Sequence, residues 1–147
     1  MLTLHHLLVS QSDKVIWLME ELGAPYRLEI YRREETMAAP PELKALHPLG
    51  QTPLIEDDGV LLAESGAVFA YIMEKYDSEN RMSVPMGEQG HVDYLYWFHY
   101  AAAGLMPATM QRFVANMTKS DVLIARAVQS LDECHATLKS EGLMVAK

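Results

Sequence analysis

Asp58-Gly59, set between the apolar runs TPLIED and VLLAE, constrains the first half of this chain more than any other feature. The pair suits a two-residue turn with positive φ at its centre, which folds the flanking runs into an antiparallel hairpin. The residues before it carry other periods. LTLHHLLVS is a short, mostly apolar run suited to a buried strand. DKVIWLMEELG sets Val15, Ile16, Leu18, Met19 and Leu22 on one helical face before Gly23 ends it. After GAPY, RLEIYRR alternates as a second strand, and PPELKALHP reads as a short helix bracketed by prolines. SGAVFAYIMEKY follows the hairpin as a third helix. The order β-α-β-α-β-β-α within residues 1–76 predicts a mixed four-stranded sheet with helices on its faces. A crossover makes the first two strands parallel, and the hairpin makes the last two antiparallel.

The second half carries no strand signal. Residues 77–87 read as a polar linker holding Pro85 and Gly87, and residues 88–147 as an all-helical domain. HVDYLYWFHYAAAGLMPATMQRFVANM and SDVLIARAVQSLDECHATLKSEG are amphipathic and of helix length, the second opened by Ser120 as N-cap and stopped by Gly142. Pro107 predicts a kink or break near Gly104. The aromatic run Tyr94, Tyr96, Trp97, Phe98 and Tyr100 nearly circles the helix axis. It therefore predicts core and subunit interface on some faces and part of an apolar ligand pocket on others.

Composition narrows the function. A single Cys among 147 residues rules out a disulfide framework, and no Cys/His cluster has zinc spacing, so no metal is expected. Neither a basic leader nor an apolar run of bilayer length is present, which predicts a cytoplasmic protein with no membrane contact. With 20 acidic against 12 basic residues, the net charge of −8 repels phosphate backbones, and nucleic acid is not expected as a partner. An anionic ligand must instead be held by local devices such as helix N-termini. His5 and His6 are adjacent on a strand and face opposite sides, so they are not a metal pair. Cys134 reads as a small buried hydrophobe.

The α/β half resembles the N-terminal, thioredoxin-like domain of cytosolic glutathione transferases through SQSDKVIWLMEELGAPY, APPELKALHPLGQTPLIED and LLAESGAVFAYIMEKY. The linker and YLYWFHYAAAGLMP resemble the start of that family's helical domain. The resemblance implies a thioredoxin-like domain followed by a truncated all-α domain, since family members continue through several more helices where this chain stops at LKSEGLMVAK. It implies glutathione as co-substrate, a small hydrophobic electrophile, a homodimer and a role in detoxification. A non-catalytic binding or dimerisation module that kept the fold is the alternative. The absence of Cys near the first helix argues against glutaredoxin-like redox chemistry.

The resemblance also assigns residues. Thr52-Pro53 would be cis, with the Thr52 backbone pairing with the cysteinyl part of glutathione; read alone, Pro53 is a trans proline opening a strand. Glu64 would take the ligand ammonium, and Ser65 with the helix N-terminus the γ-glutamyl carboxylate, although Ser65 alone reads equally as an N-cap. Gln51 would face the glycyl end or be an exposed turn residue, with Lys44 or an Arg of YRR supplying the missing positive charge. Ser10, at the end of the first strand, is the preferred partner of the ligand sulfur. Ser12 is the second hydroxyl of the binding set and better placed to cap the helix. The chemistry needs such a donor, because a free thiol of pKa ~8.5 is only a few per cent thiolate at neutral pH.

Overall fold

The computed structural model describes residues 1–142. The end of the expected helical domain, residues 143–147, lies outside them. The chain divides into two compact units, Met1–His91 and a second beginning at Val92.

The first unit holds four strands, β1 (Leu2–Leu7), β2 (Tyr26–Tyr31), β3 (Leu54–Asp57) and β4 (Val60–Ala63), and three helices, α1 (Asp13–Leu22), α2 (Pro41–Leu46) and α3 (Ser65–Tyr76). The sheet order is β2-β1-β3-β4, with β1 parallel to β2 and antiparallel to β3, and β3 antiparallel to β4. This is the mixed sheet expected from the hairpin and the crossover. Asp58 and Gly59 both have positive φ, as the tight turn requires.

β1 is an inner strand and is buried on both sides. Leu2 and Leu4 are fully buried, as are Val15 and Met19 of α1 and Val68 and Ile72 of α3, which pack together on one face. The alternate residues face α2, where Leu7 clusters with Ala39, Leu43 and Leu54. Burying each such side chain contributes about 1.5–3 kcal/mol. Gly23 ends α1 in the left-handed conformation at φ 65°, its N–H donating to Glu20 O.

Two buried carboxylates brace the unit. Asp57 at the end of β3 accepts from Lys75 Nζ at 2.7 Å, Tyr76 Oη at 2.7 Å and Tyr71 Oη at 3.1 Å, tying the hairpin to α3. Burial alone would raise its pKa, but the hydrogen bonds from Lys75, Tyr76 and Tyr71 outweigh that and hold it below the ordinary carboxylate range. Asp77, just past α3, behaves alike: burial is outweighed by the Met82 and Arg81 amides and the Ser83 hydroxyl.

The second unit comprises α4 (His91–Tyr100, reaching back one residue into the first unit), α5 (Met106–Thr118) and α6 (Asp121–Ser140). The kink or break expected near Gly104 takes the form of a change of pitch. Residues Ala101–Leu105 form one π-helical turn, closed by Met106 N–H donating to Ala101 O. A proline lacks the amide proton and crowds the carbonyl four residues back, and widening the preceding turn accommodates both without ending the helix. No residue of α4 is buried, so its aromatic run contributes stacked and edge-on ring pairs such as Tyr96–Tyr100 and Trp97–Tyr100 but no core. Ser120 caps α6 as expected, its hydroxyl accepting from Leu123 N–H. Cys134 is buried, as expected of a small apolar side chain. Among the described residues, no helix is long and apolar enough to cross a membrane.

Two outcomes follow from these contacts. Because the folded-state pKa values of Asp57 and Asp77 are depressed, their stabilisation is present above the unfolded value of ~3.9 and is lost as pH falls through the folded values. Asp57→Asn and Asp77→Asn should each lower the melting temperature at neutral pH and flatten its fall in acid; a parallel acid limb in the variants would contradict this. Gly50 has φ 56°, and a Cβ built there would lie 2.6 Å from Lys44 Cγ. Gly50→Ala should therefore cost about 1 kcal/mol or more in urea unfolding, combining left-handed strain with displacement of the Lys44 stem. An unchanged denaturation midpoint would refute it.

Candidate functional site

The C-terminal end of β1, the α2–β3 connection and the start of α3 meet at one edge of the sheet. Between them lies a cleft of about 200 Å³. Gln11 contributes from the β1–α1 loop; His47, Leu49, Gln51, Thr52 and Pro53 form the second wall; Ala63, Glu64 and Ser65 form the third. The Thr52-Pro53 peptide bond is cis.

Glu64 sits at the junction of β4 and α3 with φ 73° and ψ 118°. A non-glycine residue in that conformation is strained, by an amount on the order of 1–3 kcal/mol. Its carbonyl accepts from Val68 N–H at 2.9 Å, the first α-helical bond of α3, which leaves the amides of Ser65, Gly66 and Ala67 as the orphan donors of the helix start. Ser65 is thus the first residue inside the helix. Glu64 occupies the N-cap position, and no side chain caps α3. The reading of Ser65 as an N-cap is corrected by this geometry.

Ser10 and Ser12 differ from expectation in an instructive way. Ser12 holds the N-cap position of α1, its carbonyl accepting from Val15 and Ile16 N–H, but its hydroxyl does not cap the helix. With φ −68° and ψ −16° Ser12 is already helical. Its side chain is fully buried and hydrogen-bonded to His6 Nδ1 at 2.8 Å and Ser10 Oγ at 2.6 Å. Ser12, expected among the binding residues, is buried against Ser10 and does not itself line the cleft. Ser10 is half-buried, accepting from Ser12 N–H at 3.2 Å and from Thr52 Oγ1 at 2.9 Å. It is therefore tied directly to the wall of the cleft.

The loop carrying Ser10 is held from outside. Arg33 donates from Nε to Leu8 O at 3.1 Å, from Nη2 to Val9 O at 2.9 Å and from Nη1 to Met37 O at 2.8 Å. Val9, β-branched and at φ 57°, is a conformational outlier whose carbonyl this clamp fixes. Arg33 is thus engaged by backbone carbonyls, and Lys44 packs its stem against Gly50. The side chain beside Gln51 on the cleft wall is instead His47. Its Nδ1 accepts from Leu49 N–H at 3.4 Å, which places the neutral ring's proton on Nε2. Sequence reasoning weighed His6 only as a metal ligand and did not single out His47, because the hydrogen-bond partner of each, Ser12 and Leu49, is announced by no recognisable spacing.

The glutathione S-transferase N-terminal domain model matches residues 10–75, which include all of the cleft. Glutathione S-transferase 3 of Schizosaccharomyces pombe is 37% identical over 110 residues, covering 73% of this chain and 43% of that protein. A glutathione S-transferase structure from Actinobacillus pleuropneumoniae superposes with TM-score 0.81 at 32% identity, over 95% of this chain and 65% of that one. A glutathione transferase from Phanerochaete chrysosporium, solved with oxidized glutathione, shares the fold with TM-score 0.82 at 24% identity, over 95% and 66% of the two chains. The chain spans less than half the length of the curated relative. With its mixed four-stranded sheet, its three-walled cleft and the helical unit that follows, this chain belongs to the glutathione S-transferase family.

Proposed function

We propose that this chain binds glutathione in the cleft and activates its thiol for attack on a small hydrophobic electrophile. The observation that carries the reading is the convergence of Thr52, Gln51 and the Glu64–Ser65 helix start on one cleft, with Ser10 hydrogen-bonded to the Thr52 hydroxyl of its wall. A tripeptide of glutathione's charge pattern matches the walls in order. The Glu64 carboxylate faces the ligand ammonium, and the Ser65 hydroxyl with the orphan amides of α3 receives the γ-glutamyl carboxylate. Gln51 and the Nε2–H of His47 receive the glycyl end without a fixed positive charge. The Thr52 backbone beside Pro53 pairs with the cysteinyl unit, whose sulfur is directed at Ser10. Lowering the thiol pKa by ~2 units makes thiolate the major form and corresponds to about 2.7 kcal/mol of differential stabilisation.

The reading carries with it a cytoplasmic homodimer acting in detoxification. A binding or dimerisation module without turnover is the second reading, favoured by the apolar residues that α5 and α6 leave exposed, among them Phe113, Met117 and Val122. Titration calorimetry with glutathione tests the site, and a conjugation assay then separates the two readings. No measurable binding would reject both.

Two substitutions test the assignments. Ser10→Ala should leave glutathione affinity within a few fold, because most contacts lie on the other walls, yet reduce turnover roughly ten- to a thousandfold, as for loss of one donor to a fixed negative charge. Unchanged turnover would remove Ser10 from the mechanism. Glu64→Ala and Glu64→Gly should both weaken glutathione binding about tenfold or more, through loss of the carboxylate. The glycine variant should nonetheless be the more stable of the two by about 1 kcal/mol, because it relieves the positive φ. Equal melting temperatures would show that Glu64 is unstrained, and unchanged affinity that its carboxylate faces no ammonium.

A further inference from the structure

Behind Ser10 runs a continuous line of hydrogen-bonding groups from the cleft into the core: Thr52 Oγ1, Ser10 Oγ, Ser12 Oγ, His6 Nδ1 and, across the ring, Asp13. His6 is 6% exposed and Ser12 is fully buried, while Asp13 stands in solvent with its Oδ1 3.6 Å from His6 Nε2. Proton counting gives the line a direction. Ser10 Oγ has two lone pairs and one proton. Ser12 N–H takes one lone pair and the Thr52 hydroxyl the other, so the Ser10 proton must point inward to Ser12 Oγ. Ser12 then gives its own proton to His6 Nδ1, and the neutral imidazole carries its hydrogen on Nε2, toward Asp13. In this arrangement Ser10 has no proton to offer an anion in the cleft.

We propose that His6 is the inner terminus of a proton relay: when the thiol at Ser10 ionises, its proton is stored on His6 rather than released to water. The proposal rests on the reading of the cleft as a glutathione site. The thiol takes the place of the Thr52 hydroxyl on its lone pair of Ser10 Oγ, the Thr52 O–H turning away from Ser10. The thiol proton passes to Ser10 Oγ, the Ser10 proton to Ser12 Oγ, and the Ser12 proton to His6 Nδ1. Three bonds to hydrogen break, at S, Ser10 Oγ and Ser12 Oγ, and three form, at Ser10 Oγ, Ser12 Oγ and Nδ1. The products are a thiolate and an imidazolium, and no co-reactant is needed. The side-chain hydrogen bonds of the line have now reversed, so Ser10 donates outward to the sulfur, the Ser12 hydroxyl donates to Ser10, and His6 donates to Ser12, while the Ser12 amide still donates to Ser10. The Asp13 carboxylate at Nε2 balances the new positive charge.

His6 is a positioning residue in this scheme, acting on the sulfur only through two serines. Asp13, from α1, is the charged group set against its ring. Arg33, from the strand end beyond β2, is turned to the Leu8 and Val9 carbonyls. His5, next on β1, points to the opposite face and hydrogen-bonds Tyr31.

The test follows thiolate ultraviolet absorbance of the glutathione complex against pH, together with proton release on binding, measured by calorimetry in buffers of different ionisation enthalpy. In the intact protein, thiolate should form with well under one proton released per sulfur ionised. In His6→Asn, which keeps a hydrogen-bonding group at the position but cannot store a proton, release should rise to about one, and the absorbance midpoint should move up by about one unit or more. Ser12→Ala cuts the line while leaving the imidazole in place and should shift both readouts the same way, which covers a His6 variant that fails to fold. His5→Asn, a buried histidine on the same strand outside the line, should change neither. If His6→Asn or Ser12→Ala folds and matches the intact protein in both readouts, the relay is overturned while the glutathione site stands. If the intact protein forms no thiolate with glutathione, the reading of the site falls and the relay falls with it.

Discussion

Burial of β1 on both faces is the constraint on which the rest of this structure depends. An inner strand covered by α1 and α3 on one side and by α2 on the other can carry almost nothing but apolar side chains, and Leu2, Leu4 and Leu7 comply. The two histidines do not, so each must find a partner in the core. His5 takes the Tyr31 hydroxyl on the α2 face, and His6 takes Ser12 on the α1 face. The second of these pulls the first residue of the α1 turn down onto the strand. Ser10 is thereby drawn against Ser12, and Thr52 against Ser10, so the packing demand of one buried ring organises the edge where the cleft opens.

On the proposed reading of that edge, the chain holds a charged ligand while carrying a net charge of −8. It does so with short-range devices rather than with a basic surface. Orphan amides at the start of α3, hydroxyls and an imidazole N–H would act within hydrogen-bond distance, where orientation matters more than the long-range field. The Arg33 guanidinium serves structure instead, closing the Ser10 loop through three carbonyls. Two strained residues, Val9 and Glu64, flank the site on either side, and both are held by hydrogen bonds through their carbonyls. Such conformations persist only where the surroundings over-determine them, which is consistent with a cleft whose walls are rigid before any ligand arrives.

The element order, the parallel and antiparallel pairings and the Asp58-Gly59 turn were legible in the sequence, because period, turn chemistry and glycine stops are local properties expressed within a few residues. Gln51, Thr52, Glu64 and Ser65 were legible only through motif resemblance, since their separation in the chain says nothing of their meeting at one cleft. The capping readings of Ser12 and Ser65 failed for a common reason. A serine near a helix start looks like a cap from its neighbours, whereas the backbone conformation, helical at Ser12 and displaced by one residue at Glu64, decides where its hydroxyl points. Pro107 likewise announced an interruption, but whether the helix breaks or widens into a π turn depends on what packs around it. Sequence alone thus determined which segments form strands, helices and turns. Only tertiary structure decided that His6, Ser12, Ser10 and Thr52 share one line of hydrogen bonds, because that line crosses from strand to helix to loop, and proximity across such elements is a property of the packed sheet.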